Sequence, residues 1–175
     1  MICLLARYDP IKGHDVFLKG ARILLKEKPD TIFIIAGEGL YRDHRKLSTL
    51  IRPIDTNVIV LGHQNDVSSV LNGSDILSVC SHSEGFPNAL GEAMSVGLVC
   101  VATDVGGCSV ILGDSGRLIP PNQPDLLAKS WLDLLSLSEE EFLRNGLKAR
   151  QRIKDYFSVG KFVNSYDKIF STSKS

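Results

Sequence analysis

Charge of one sign is what this sequence lacks most plainly. Twenty Lys and Arg balance twenty Asp and Glu over 175 residues, for a formal net charge of zero, so there is no general electrostatic footprint for nucleic acid or an anionic surface. Nucleic acid is not an expected partner, and any anion site must be local. No apolar run approaches the roughly 20 residues of a membrane span. The first residues, MICLLARYDP, have no basic region leading into a long apolar one, so a cytoplasmic protein is expected. Cysteine is sparse: Cys3, Cys80 and Cys100 sit in apolar, strand-like runs, Cys108 follows a glycine pair, and no C-x-x-C occurs. That usage fits reduced core thiols rather than disulfides or zinc ligands. His14, His44 and His63 show no metal-ligand spacing. Also missing are G-x-G-x-x-G after the first strand and G-x-x-x-x-G-K-[ST] anywhere, which argues against hydride transfer and P-loop NTPase chemistry.

What is present is a repeating alternation. Ile2 to Ala6 is a short apolar run, and Gly13 to Lys28 carries Phe17, Leu18, Ala21, Leu24 and Leu25 at helical spacing before Pro29. Thr31 to Ala36 reads as a second strand, followed by Gly37-Glu38-Gly39 and a helix up to Arg52, ended by Pro53. Further strands are expected at Asn57 to Leu61, Asp75 to Cys80, Val99 to Ala102 and Gly116 to Ile119, with Asp66 capping a short helix and Gly73 stopping it. Strands that are apolar throughout belong to a parallel sheet covered on both faces. The expected fold is therefore α/β, a doubly wound parallel sheet of about six strands with extra C-terminal helices. In those helices Pro124 suits a first turn, Leu127, Trp131, Leu134 and Leu135 form a stripe, and Ser138 with Glu141 forms a capping box. Ser158 is placed to cap a last helix bearing Phe162, Tyr166, Ile169 and Phe170, ahead of a disordered tail.

Ligands of open parallel sheets lie outside the carboxyl ends of the strands. The loops there hold Arg7 to Lys12, Gly37 to Gly39, Gly62-His63, Ser81 to Asn88 and Asp104 to Gly107. Arg7 and Lys12, with four residues between them, are both able to face one crevice, and a helix starting near Pro87 or Asn88 opens its free amides onto the same edge. Together they suit a diphosphate. In HSEGFPNALGEAM, Glu84 precedes a Gly-Phe-Pro turn and Glu92 lies eight positions later, about one turn inside the helix. A phosphate repels both carboxylates, but carboxylates accept from hydroxyls, and a nucleotide sugar offers hydroxyls on both sides of its diphosphate. Histidine is a common general base, but His82 is read as structural or as lining the donor pocket.

The stretch SHSEGFPNALGEAMSVGLVCVATDVGG, with ARYDPIKGHDVFLKGARIL before it and IIAGEG between, resembles the donor-binding C-terminal domain of the retaining, GT-B-fold glycosyltransferases known as group 1 or family four. The resemblance runs from the first strand to the last helix. It implies a Rossmann-like half of a GT-B fold, with residues 1–171 as the nucleotide-sugar domain and 172–175 as the tail. By this resemblance Glu84 holds the donor sugar's hydroxyls and Glu92 the ribose, while Arg7 and Lys12 hold the diphosphate. Gly85 to Leu90 (Gly85, Phe86, Pro87, Asn88, Ala89, Leu90) form the turn and helix start whose amides hold phosphate, Gly62-His63 the region gripping the base, and Ser83 is a further donor-binding residue. Glu84, Arg7 and Lys12 are the expected catalytic residues, Glu84 as a positioning group. UDP-sugar is the expected substrate, with no cofactor; the absence of D-x-D gives no indication of a chelated metal.

An enzyme of this kind also has an N-terminal domain that binds the acceptor. That domain is absent from this sequence, so the expected partner is an acceptor domain supplied elsewhere in the full protein or by another chain. The chain alone is then expected to bind donor without transferring sugar, and the full enzyme to be cytoplasmic or peripheral to the membrane. The C-terminal helix, deprived of cover, is expected to promote self-association. The alternative is a non-enzymatic nucleotide-sugar-binding or subunit-interaction domain.

Overall fold

A computed structural model of the chain describes residues 1–161 and 163. Six parallel strands, β1 (Ile2–Leu5), β2 (Phe33–Ala36), β3 (Val58–Gly62), β4 (Ile76–Val79), β5 (Val99–Thr103) and β6 (Arg117–Ile119), form one sheet in the order β3-β2-β1-β4-β5-β6. The helices are α1 (His14–Leu24), α2 (Leu47–Ile51), α3 (Val67–Asn72), α4 (Asn88–Ser95), α5 (Cys108–Leu112), α6 (Pro124–Leu135) and α7 (Glu139–Tyr156). Successive side chains of a strand point to opposite faces, and the core divides accordingly. Ile2 and Leu4 face a layer with Phe17, Leu24 and Trp131; Cys3 faces the other, with Leu90, Met94 and Ile111. Trp131 is fully buried, meets Phe17 edge-on at 5.4 Å, and satisfies its indole N–H by donating to Ser78 Oγ at 2.8 Å. All four cysteines are buried and free.

Helix ends follow their local chemistry. Asp66 accepts from the Ser69 amide, Pro124 occupies the first turn of α6, and Ser138 and Glu141 complete the capping box of α7. The expected helix from Gly39 to Arg52 is a different case. Only α2 is helical, and Arg52–Asn57 follows as a 3₁₀ segment containing Pro53. Arg42 accounts for this: its guanidinium donates to the backbone of Val58 and Asp55 and pairs with the Asp55 carboxylate, which holds the preceding segment in turns. Pro53, which has no N–H, is tolerated in the first turn of the 3₁₀ segment, where an amide would have no partner within that segment. β3 also departs from an apolar run buried on both faces. It is an edge strand with Ile59 and Leu61 exposed. The face expected on Phe162, Tyr166, Ile169 and Phe170, and the tail, lie outside the described residues.

The order of the strands positions the site. β1 is flanked by β2 and β4, so the crossovers leave it in opposite directions and a crevice opens between β1 and β4. Their pairing stops at Cys3 opposite Leu77, although the strands continue to Leu5 and Val79.

Candidate functional site

The loops leaving β1 and β4 are stitched together before any ligand is considered. Asp9 accepts from the Ile11 amide, starting a 3₁₀ turn over Pro10–Lys12, and that amide bond, helped by Arg7, holds the Asp9 carboxyl below the usual carboxylate range. Gly13 ends the turn at φ +67, where a Cβ would come within 2.0 Å of the Cys80 carbonyl oxygen. Ile11 O accepts from the His82 amide at 2.7 Å. These contacts set Lys12 against Glu84, Nζ to Oε1 2.7 Å, with side chains 22% and 10% exposed. Ser81 Oγ donates to the same oxygen at 2.6 Å.

The splayed ends of β1 and β4 floor a cavity of about 310 Å³ whose polar walls are Arg7, Lys12, Ser81, Glu84 and Asn88. α4 begins beside it. Its N-cap is Pro87, with no side chain capping the first turn, so the Asn88 and Ala89 end of the helix presents its amides and the positive end of its dipole to the cavity. A second cavity, about 240 Å³, is lined by Arg7, Gly37, His63, Gln64, Ala89 and Glu92 among others. The two share Leu5, Ala6, Arg7 and Ala89. Arg7, 67% exposed, lies 3.4 Å from Asp9, so its guanidinium remains largely in solvent at the junction.

The residues singled out from sequence therefore divide. Arg7, Lys12, Glu84, Phe86, Pro87, Asn88 and Ala89 line the first cavity and His63 and Glu92 the second. Gly62, Ser83, Gly85 and Leu90 line neither. Leu90 is buried in the core and its amide is bonded to Pro87 O; Gly62 lends its carbonyl to the Gly37 amide at 2.7 Å, tying the β3 loop to the β2 loop. His82 is exposed and borders a different groove with Tyr8 and Asp15. The pairing of Lys12 with Glu84 was not foreseen, since sequence reasoning gave them separate parts of a ligand.

Other contributors were not singled out from sequence. Gly106, at φ +52, packs so closely that a Cβ would fall 1.7 Å from Glu84 O, and the Gly107 amide donates to Gly85 O at 2.9 Å. The glycine pair in the loop after β5 was the available signal. Thr103 Oγ1 donates to Ser81 O at 2.7 Å, for which the sequence carries no local signal. Cys108 lies near enough that Glu84's charge adds to the effect of burial, which pushes its thiol up to about 11. Among the described residues no group of three or more His, Cys, Asp or Glu is gathered to hold a metal ion, and no helix is long and apolar enough to cross a membrane.

Comparison with known proteins places this geometry. Residues 1–156 match the sequence profile of the family described as glycosyl transferases group 1. The chain is 34% identical over 120 residues to the N-acetyl-alpha-D-glucosaminyl L-malate synthase of Bacillus anthracis, covering 67% of this chain and 31% of that protein. It is 27% identical over 173 residues to the UDP-Gal:alpha-D-GlcNAc-diphosphoundecaprenol alpha-1,3-galactosyltransferase of Escherichia coli, covering 95% and 44%. The crystal structure of Anabaena HepE in complex with UDP superposes with a TM-score of 0.88 at 21% identity, over 98% of this chain and 48% of that one. The chain thus spans less than half the length of these relatives. With a family profile matched over nearly all of its length and the doubly wound sheet of a GT-B half, the chain belongs to the group 1 glycosyltransferases.

Proposed function

We propose that this chain is the donor-binding half of a retaining glycosyltransferase that moves a sugar from a nucleoside diphosphate to an acceptor held by a further domain. The observation that carries the reading is the meeting of two cavities at Arg7 and Ala89, with one carboxylate in each. A diphosphate at the junction lies against Arg7, Lys12 and the amides of α4; the sugar then falls on the Glu84 side, the ribose on the Glu92 side and the base near His63. UDP is the preferred nucleotide, in keeping with the donor in the name of the Escherichia coli relative and the ligand of Anabaena HepE.

The chemistry follows from charge. As the bond from the anomeric carbon to the β-phosphate oxygen breaks, its electron pair leaves with the phosphate while the sugar becomes cation-like. Donors already aimed at that phosphate are worth most when the charge has developed. Arg7, Lys12 and α4 supply them, and Glu84 orients the sugar. The chain spans less than half the length of these relatives, so acceptor binding and exclusion of water fall to the remainder of such a protein, and the chain alone binds donor without turning it over.

Calorimetric titration with UDP tests this. Arg7→Ala is expected to weaken UDP by about 1.5–3 kcal/mol, the range for a hydrogen bond to a charged group. The loss on Glu92→Gln is expected to shrink when 2′-deoxy-UDP replaces UDP. Absence of UDP binding by the unaltered chain overturns the reading; an undiminished loss with the deoxy ligand removes Glu92 from the ribose.

A further inference from the structure

The hydrogen bonds to Glu84 converge on one oxygen. Lys12 Nζ and Ser81 Oγ both meet Oε1, at 2.7 and 2.6 Å, and among the described residues nothing donates to Oε2. The carboxylate, itself a wall of the cavity, is anchored by one oxygen and presents the other. The two anchors differ in kind. Lys12 is a long cation on a surface turn, which an arriving diphosphate attracts. Ser81 is 2% exposed, short and uncharged, and its hydroxyl is already donated to Glu84, so a phosphate does not draw it away as it draws a cation. Its backbone is held in turn from β5, where the fully buried Thr103 directs Oγ1 to Ser81 O at 2.7 Å and to Val79 O at 3.4 Å. The hydroxyls of Thr103 and Ser81 thus link the interior of the sheet to Glu84 in two steps.

We propose that Ser81, backed by Thr103, is the positioning residue of the donor-sugar subsite: it keeps Glu84 Oε2 aimed at the sugar hydroxyls after Lys12 has turned to the diphosphate. This rests on the assignment of Glu84 to the sugar. The one hydroxyl proton of Ser81 is committed to Glu84, so its removal is expected to cost affinity chiefly for the part of the ligand that Glu84 reads. Glu84 then loses a donor on Oε1 and its carboxylate rotates freely, and the hydroxyls of the sugar meet a spread of orientations instead of one.

The test compares UDP with UDP-glucose, UDP-galactose and UDP-N-acetylglucosamine on the 175-residue chain, taking the sugar nucleotide that the unaltered chain binds best. The quantity read is the affinity for that nucleotide divided by the affinity for UDP. Ser81→Ala and Thr103→Val are expected to lower this ratio about 3- to 10-fold, on the order of one hydrogen bond, with UDP affinity within about twofold of the unaltered chain. Ser81→Thr, which restores the hydroxyl, is expected to return the ratio to its starting value. Thr103→Val keeps the buried shape and serves if Ser81→Ala fails to fold, as judged by thermal melting. Glu84→Gln is the control that separates causes. If it lowers the ratio and neither Ser81→Ala nor Thr103→Val does, the positioning role is wrong while the assignment of Glu84 survives. If Glu84→Gln leaves the ratio unchanged, the sugar assignment falls and the inference with it. If the unaltered chain binds no UDP, the proposed function itself fails.

Discussion

Lys12 and Glu84 offer the sharpest quantitative test, because the fold joins two residues that the ligand is proposed to separate. Exposed ion pairs contribute about 0–1 kcal/mol, whereas removing one partner of a fully buried pair costs about 3–5 kcal/mol, since the survivor is left charged and uncompensated. At 2.7 Å, with side chains 22% and 10% exposed, this pair falls between, and a coupling of about 1.5–3 kcal/mol is expected. Lys12→Met keeps much of the apolar stem while removing the charge; Glu84→Gln removes the other charge and keeps the shape. Urea unfolding of the unaltered chain, both single variants and the double variant gives the coupling directly, provided the slope with urea is unchanged. Lys12→Met should be less stable than the double variant, because only the single variant strands the carboxylate. A coupling within about 0.5 kcal/mol of zero, the tolerance for independent sites, refutes the pairing. A ligand consequence accompanies it. If Lys12 must leave Glu84 to reach a phosphate, Glu84→Gln binds UDP more tightly than the unaltered chain; weaker binding means that Glu84 prepares Lys12 instead of competing for it.

Three further perturbations probe the frame around the site. Gly106→Ala adds a Cβ that would lie 1.7 Å from Glu84 O at φ +52; left-handed backbone costs an L-residue about 1–2 kcal/mol, and the clash with main chain raises the expected loss to about 2–4 kcal/mol by urea unfolding, with weakened UDP binding, while a loss under about 0.5 kcal/mol sinks the close packing. His14 is 3% exposed, and neither ring nitrogen makes a hydrogen bond of normal geometry; burial holds its pKa below the ordinary 6.5, partly offset by the nearby backbone of Ala6 and Asp9. Above 6.5 it is neutral folded and unfolded; as pH falls below 6.5 the unfolded chain takes the proton first and stability drops until the folded pKa is passed. His14→Gln should flatten the urea midpoint's fall between pH 7 and 5, and an unchanged slope excludes this residue as its source. Trp131→Phe removes the donor to Ser78 and part of a buried ring, for about 2–3 kcal/mol by urea unfolding; Trp131→Phe with Ser78→Ala should recover part of it, and no recovery refutes the stranded hydroxyl.

How far these features were readable from residue order depends on the range of the interactions behind them. The central strands were legible because a strand covered on both faces is apolar along its length, as in Phe33–Ala36 and in β5 from Val99 to Ala102, before the polar Thr103. The segment before α2 was not, because its shape depends on Arg42 reaching Asp55 and Val58, a contact with no local periodicity. The site divides the same way. Arg7, Lys12 and Glu84 declare themselves by charge on loops at one sheet edge and Glu92 by its place in α4, whereas Ser81, Thr103, Gly13 and Gly106 work through backbone approaches between segments that are 22 to 67 residues apart in the chain, from Ser81–Thr103 and Glu84–Gly106 to Gly13–Cys80.

The Lys12–Glu84 pair marks a limit of another kind. Reasoning from the ligand gives the cation to phosphate and the carboxylate to hydroxyls, and that reasoning describes the occupied site. In the fold itself the opposite charges beside a cavity of about 310 Å³ pair with each other. On the proposed function, binding a nucleotide sugar is an exchange of ion-pair partners, in which phosphate takes the lysine and sugar hydroxyls meet the carboxylate. Nucleoside diphosphate alone completes only half of that exchange. The sugar contributes to affinity only where a neutral donor such as Ser81 keeps the released carboxylate in place.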